Sequence, residues 1–155
     1  MPSSSPPSDQ ELAAFGLHGE SPRPLRGGQG RAWAAGNLVL KPVDDEVEAA
    51  WSADVLSAVT EAGFRITRPV RSSTGEWVAA GWSAWEHLPG EHNTADRWPE
   101  VLCVGQQLNA ALREVTRPAF LDLRTNIWAE ADRIAWDEAP VSVTHEELRP
   151  GLLHG

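Results

Sequence analysis

Residues 36–43 read Gly36-Asn37-Leu38-Val39-Leu40-Lys41-Pro42-Val43, and they hold the only lysine of the chain. Of the 13 lysine and arginine residues, every other one is arginine. The Gly-Asn pair predicts a tight turn, and the apolar run after it predicts a strand. The short run 31–35 before the turn completes a β-hairpin. Lys41 follows three apolar residues, so the strand reads as largely buried, and a buried ammonium needs an anion. The competing reading is a solvated surface lysine, the commonest fate of that residue type.

Upstream of the hairpin, Pro24-Leu25-Arg26 leads into Gly27-Gly28-Gln29-Gly30, a further glycine-rich turn. Downstream, 44–62 predicts a helix. Asp44 and Asp45 favour its N-terminus, Val47, Trp51, Val55, Leu56 and Val59 lie near one face, and Gly63 ends it. The runs 66–71 and 76–85 are β-like and joined by Ser72-Ser73-Thr74-Gly75. Leu88-Pro89-Gly90 breaks the pattern. Two helical stripes follow: Val101, Val104, Leu108, Ala111, Leu112 and Val115, then Ile127, Ala131, Ile134 and Ala135. At the other end, residues 1–7 read as a disordered Ser/Pro tail. Ser8 and Glu11 have capping-box spacing and start a short helix that Gly16 stops. Three strands, a helix, two strands and then helices predict an α+β fold. Its sheet is antiparallel and five-stranded, with one packed helix and a helical segment after it.

Composition narrows the classes. The 155 residues carry a net charge of -9 and are 41% apolar, with eight tryptophans and no tyrosine. Such an acidic chain repels polyanions, so nucleic acid is not expected as a partner. The single cysteine, Cys103, rules out an internal disulfide and fits a reducing compartment; its apolar neighbours predict a buried, inert thiol. No apolar run approaches the roughly 20 residues of a membrane span, and the first residues lack a secretory pattern. A cytoplasmic protein without a membrane partner is expected.

Four elements are candidates for chemistry. Gly27, Gly28 and Gly30 could let backbone N–H groups approach a phosphate, although a plain hairpin turn also needs such residues. Lys41 could reach phosphates held under that turn. Glu48, three residues before Trp51, is a better orienting carboxylate for Lys41 than Glu46, which points to the other side of the helix; a charged first turn serving the helix dipole is its rival. The backbone of Trp85, Glu86, His87 and Leu88 could hydrogen-bond a flat heterocycle or simply connect two lobes. His87 and His92 with Glu86 and Glu91 match no metal-ligand spacing, so no metal site is expected. Asp122, Asp132, Asp137 and Glu138 read as solvated.

Taken in order, these pieces resemble the N-terminal lobe of the aminoglycoside phosphotransferase-like kinases, which share the protein-kinase-like fold. The resemblance spans roughly residues 15–155. Gly27-Gly28-Gln29-Gly30 is similar to the nucleotide-covering loop, although shorter than the protein-kinase pattern. Val39-Leu40-Lys41 resembles the strand carrying the phosphate-contacting lysine, and Glu48 stands where its ion-pair partner would be. Trp85-Glu86-His87-Leu88-Pro89-Gly90-Glu91 looks like the hinge, and Gly105–Leu112 like the first helix beyond it. Leu152-Leu153-His154-Gly155 resembles the start of the catalytic-loop motif, whose next residue would be the aspartate base.

The resemblance implies three regions: 1–14, a tail and short helix; 15–88, the kinase-like N-lobe; 89–155, a linker and the helical start of a C-lobe. It implies ATP or GTP as cofactor, with Mg²⁺ only in an intact kinase, and a small-molecule hydroxyl as acceptor. Lys41 and Glu48 would be the catalytic residues present, and His154 and Gly155 the remnant of the catalytic loop. Phosphotransfer by these residues alone is not expected, since the base and both metal ligands would follow Gly155. Two other readings stand: a non-catalytic nucleotide-binding or interaction module on the same lobe, and an unrelated α+β domain. In the first, Trp128 and Trp136 would be exposed. An exposed helical face would favour self-association.

Overall fold

The computed structural model describes residues 5–26, 30–90, 97–126 and 128–138. They form two compact units, the first built from residues up to 61 and from 65–93, the second from 62–64 and the residues from 94 onward.

The first unit is an antiparallel sheet with two helices. Helix α1 (Asp9–Ala13) begins at a capping box: Ser8 Oγ accepts from the Glu11 N–H at 3.4 Å, and the Glu11 carboxylate accepts from the Ser8 N–H at 2.6 Å. Those two bonds satisfy helix-end donors and let so short a helix persist. Strands β1 (Arg23–Pro24), β2 (Trp33–Ala35) and β3 (Leu38–Pro42) follow, then helix α2 (Glu46–Ala58), then β4 (Pro69–Val70), β5 (Val78–Ala79) and β6 (Trp82–Glu86). The spatial order is β1-β2-β3-β6-β4, and β5 pairs with β6 as well.

The sheet has six strands rather than the expected five. The run 76–85 is not one strand, because Ala80 and Gly81 both take left-handed backbone, at φ 51° and 78°. Ala79 and Trp82 therefore face each other across a two-residue hairpin loop of the I′ kind. The expected Gly36-Asn37 turn is present: Ala35 faces Leu38, and Gly36 sits at φ 54°.

Strand β3 is central, and its alternation sorts the sheet's two faces. On one face Leu38 and Leu40 join Ala35, Trp82 and Ala84 in a cluster closed by Leu12, Phe15 and Leu17 from the N-terminal segment. Leu40 is 0% exposed and Leu12 1%. Burying each contributes roughly 1.5–3 kcal/mol relative to exposure. The opposite face carries Ala34, Val39, Lys41, Ser83 and Trp85, paired across the strands as Ala34 with Val39, Val39 with Trp85, and Lys41 with Ser83.

Helix α2 starts as expected, with the Asp45 carboxylate accepting from the Glu48 N–H at 3.0 Å. It ends at Ala58, earlier than the glycine signal at Gly63 suggests. Arg68 supplies the stop. Its guanidinium donates to the Leu56 and Val59 carbonyls at 3.1 and 2.8 Å, satisfying acceptors that the helix end leaves open. The expected apolar stripe holds in part: Trp51, Val55 and Leu56 are half-buried and Val59 is buried, but Val47 is 61% exposed, and Ala53, at 1%, is the helix residue most deeply buried. A small residue is buried where α2 packs beside β4 and β5. Trp77 Nε1 donates to Asp54 of α2 at 2.6 Å, and the Arg71 guanidinium stacks 3.7 Å from the Trp77 ring centre.

The second unit contains α3 (Trp98–Ala111), a 3₁₀ turn (Ala119–Asp122) and α4 (Ala129–Glu138). Arginines stitch the turn to α4: Arg117 pairs with Asp122 and Asp137, and Arg124 pairs with Asp132. Those aspartates are thus ion-paired, not merely solvated. Arg133 donates to the Leu121 carbonyl at 3.0 Å. The stripe expected along α3 is open to solvent at Val101 and Val104, and Cys103 is exposed, not buried. Trp98, Trp128 and Trp136 are exposed as well. No helix among the described residues is long and apolar enough to cross a membrane.

Candidate functional site

Of the candidate residues of the first unit, Lys41 and Trp85 share the face of the sheet opposite the N-terminal helix, whereas Glu86 pairs with Leu38 and so lies on the other face. Lys41 lies near the end of β3, after Leu38, Val39 and Leu40, which are 5%, 9% and 0% exposed. Both faces of β3 are covered at those three positions. By Lys41 the cover has run out, and the lysine is exposed instead of buried as its apolar lead-in suggests. An exposed ammonium needs no buried counter-ion, yet Lys41 is not simply in water. Its Nζ stands 5.3 Å from the centre of the Trp85 ring. That distance is within cation–π range, an attraction of about 0.5–1 kcal/mol at an open site.

Trp85 is itself held. It is 9% exposed, and its Nε1–H donates to Ser83 Oγ at 3.1 Å. Ser83, 6% exposed, is the residue directly across from Lys41, and its hydroxyl lies 3.5 Å from the Lys41 carbonyl oxygen. The ammonium, the indole and the hydroxyl therefore form one assembly across β3 and β6. The sequence marks Trp85 only as part of a backbone connection; the part its ring plays depends on a diagonal pairing that no short motif records.

Glu48 is half-buried in the first turn of α2, where its N–H is engaged by Asp45. No ion pair between Lys41 and Glu48 occurs among the described residues. At the end of β6 the backbone is partly committed. The Glu86 N–H donates to the Arg68 carbonyl at 2.8 Å and the His87 N–H to the Asn37 carbonyl at 2.9 Å. Both side chains are exposed and Leu88 is half-buried. Neither of those N–H groups is open to a heterocycle, whereas the Leu88 N–H has no acceptor among the described residues. Pro89, next in line, has no N–H to offer.

Gly30 is described, exposed and left-handed at φ 68°. Gly27, Gly28, Glu91, His92, His154 and Gly155 lie outside the described residues. Arg31, which the sequence does not single out, makes a bidentate ion pair with Asp44, with Nη2 to Oδ1 at 2.7 Å. The pair ties the start of β2 to the residue preceding the α2 cap. Hydrogen bonding to Arg31 holds the Asp44 carboxyl below its ordinary range. Among the described residues no group of three or more His, Cys, Asp or Glu side chains could hold a metal ion. They do not by themselves fit the magnesium that phosphoryl transfer uses.

No protein-family model matches the chain, and neither does any curated protein or any solved structure.

Proposed function

We propose that the first unit binds a purine nucleoside triphosphate, ATP or GTP, on the Lys41 face of its sheet, as the nucleotide lobe of a small-molecule kinase. One placement carries the reading. The lone lysine of the chain projects from the central strand beside Trp85, on the strand that leads directly into Glu86, His87 and Leu88. Phosphates would thus be served by the Lys41 ammonium and the base by the Leu88 N–H, since the Glu86 and His87 N–H groups are engaged by Arg68 and Asn37. An exposed ammonium held weakly over a ring can move to a phosphate at small cost, since exchanging a neutral partner for an anion is favourable. Glu48 would then orient Lys41, and Gly30 marks the end of the loop that would cover the phosphates.

Titration calorimetry with ATP and with GTP tests it. Saturable binding by the intact chain, weakened tenfold or more in Lys41→Ala, is expected; tenfold corresponds to about 1.4 kcal/mol. Absent binding, or equal binding by both proteins, would overturn it. A second reading, an interaction module, is supported by the exposure of Trp98, Leu123 and Trp128, at 63%, 82% and 62%. Sedimentation across a concentration series tests that one, and a monomer at every concentration speaks against self-association.

A further inference from the structure

The covered face of β3 ends at Lys41, yet the ammonium has a defined place, and that place is set by two residues of β6. Ser83 and Trp85 lie on the same face as Lys41, one directly opposite it and the other diagonal to it. An indole of this size in a strand can pivot unless its N–H is engaged. Here the Nε1–H is engaged by the buried Ser83 hydroxyl at 3.1 Å, and the ring so fixed lies 5.3 Å from Lys41 Nζ.

We propose that Ser83 and Trp85 are positioning residues for Lys41: Ser83 fixes the indole, and the indole parks the ammonium until an anion draws it away. The role rests on the proposed anion-binding function of Lys41 but concerns the anion-free protein, so it can be tested separately. Removing the Ser83 hydroxyl would leave a buried indole N–H without an acceptor and free the ring to turn. Lys41 would then lose its parking place although its own side chain is unaltered and Ser83 meets only its backbone carbonyl.

Because the chain has a single lysine, lysine labelled with ¹³C at the ε carbon gives one side-chain NMR signal, with no assignment needed. In the wild-type chain the attached protons should be displaced upfield by the Trp85 ring current, relative to free lysine. Ser83→Ala should lose most of that displacement, Ser83→Thr should keep it, and Trp85→Leu should abolish it. Trp85→Phe retains a ring without an N–H, so adding Ser83→Ala to Trp85→Phe should change the signal little. A merely structural Ser83 would leave the lysine signal unmoved in a folded Ser83→Ala protein, and that result would overturn the proposal, as would an undisplaced wild-type signal. Should Ser83→Ala not fold, the Trp85→Phe pair decides: dependence of its lysine signal on Ser83 contradicts the mechanism. ATP added to the labelled wild type should relax the displacement as the ammonium leaves the ring. A displaced signal that ATP does not move would instead sink nucleotide binding and leave the positioning intact.

Discussion

Replacing Arg68 by methionine should loosen the end of helix α2 and with it the first unit. Methionine keeps the apolar stem and removes the guanidinium, so the perturbation isolates the hydrogen bonds. Arg68 Nη1 donates to the Leu56 carbonyl at 3.1 Å and to the Val59 carbonyl at 2.8 Å, with the Ser57 carbonyl at 3.4 Å; Nη2 stands 3.6 Å from the Glu61 carboxylate. A hydrogen bond from a charged donor is worth about 1.5–3 kcal/mol. The Arg68 side chain is 30% exposed, so water replaces part of what is lost. The Glu61 pair adds no more than about 1 kcal/mol. The net expectation is a loss of about 2 kcal/mol, up to a thirtyfold shift in the folding equilibrium. Urea unfolding followed by circular dichroism reads the total. Amide exchange should place the loss in the last turn of α2 and in 59–61, where local opening becomes easier. Arg65→Met, at an exposed neighbouring arginine, serves as the control and should change little. If Arg68→Met unfolds within about 0.5 kcal/mol of wild type, the helix end is held by something other than this arginine.

Other consequences can be checked in the same way. Ala80→Asn should stabilise by roughly 0.5–1 kcal/mol, because alanine at φ 51° is strained and Asn-Gly is the favoured pair for this loop; an unchanged or lower urea midpoint would contradict the left-handed loop. Gly63→Ala should cost about 1–2 kcal/mol from its φ of 76°, and little more from a Cβ 2.8 Å from Gln107 Nε2, the end of a flexible side chain that can give way. Pairing it with Gln107→Ala should recover only the contact, and full recovery would show the backbone to be unstrained. Leu40→Ala, at the centre of the core, should cost about 2–5 kcal/mol in urea unfolding. Glu11 is pushed up by burial but pulled further down by hydrogen bonds from Ser8 and Trp82, so its carboxyl sits below its ordinary value. A lowered folded pKa means stability that is present above the unfolded value, near 4.3, and lost as pH falls through the folded one. Acid unfolding of Glu11→Gln should accordingly lack a component below about pH 4 that wild type shows, and superimposable acid profiles would remove Glu11 from the account.

Local signals were enough for several elements. Ser8 and Glu11 announce α1, Asp45 caps α2, and Gly36 makes the turn before β3, because each acts through bonds to residues a few positions away. The antiparallel character of the sheet followed from short runs separated by turn residues. Where a partner is remote in sequence, local reading did worse. Ala80 gives no warning of a left-handed turn, so the sequence predicts one strand where there are two. Gly63 predicts the end of α2, while the actual stop is an arginine from a later segment reaching back to its carbonyls. Cys103 sits among apolar neighbours and Val47 on the face of α2 expected to be apolar, and both are nonetheless exposed, since burial is decided by what packs against a helix. The lone lysine shows the division most clearly. The sequence by itself determined that Lys41 stands on an apolar strand between a glycine turn and an acid-headed helix. Only the pairing of β3 with β6 decided that its ammonium lies in the open over Trp85, because which side chains meet across a sheet depends on register between segments some forty residues apart.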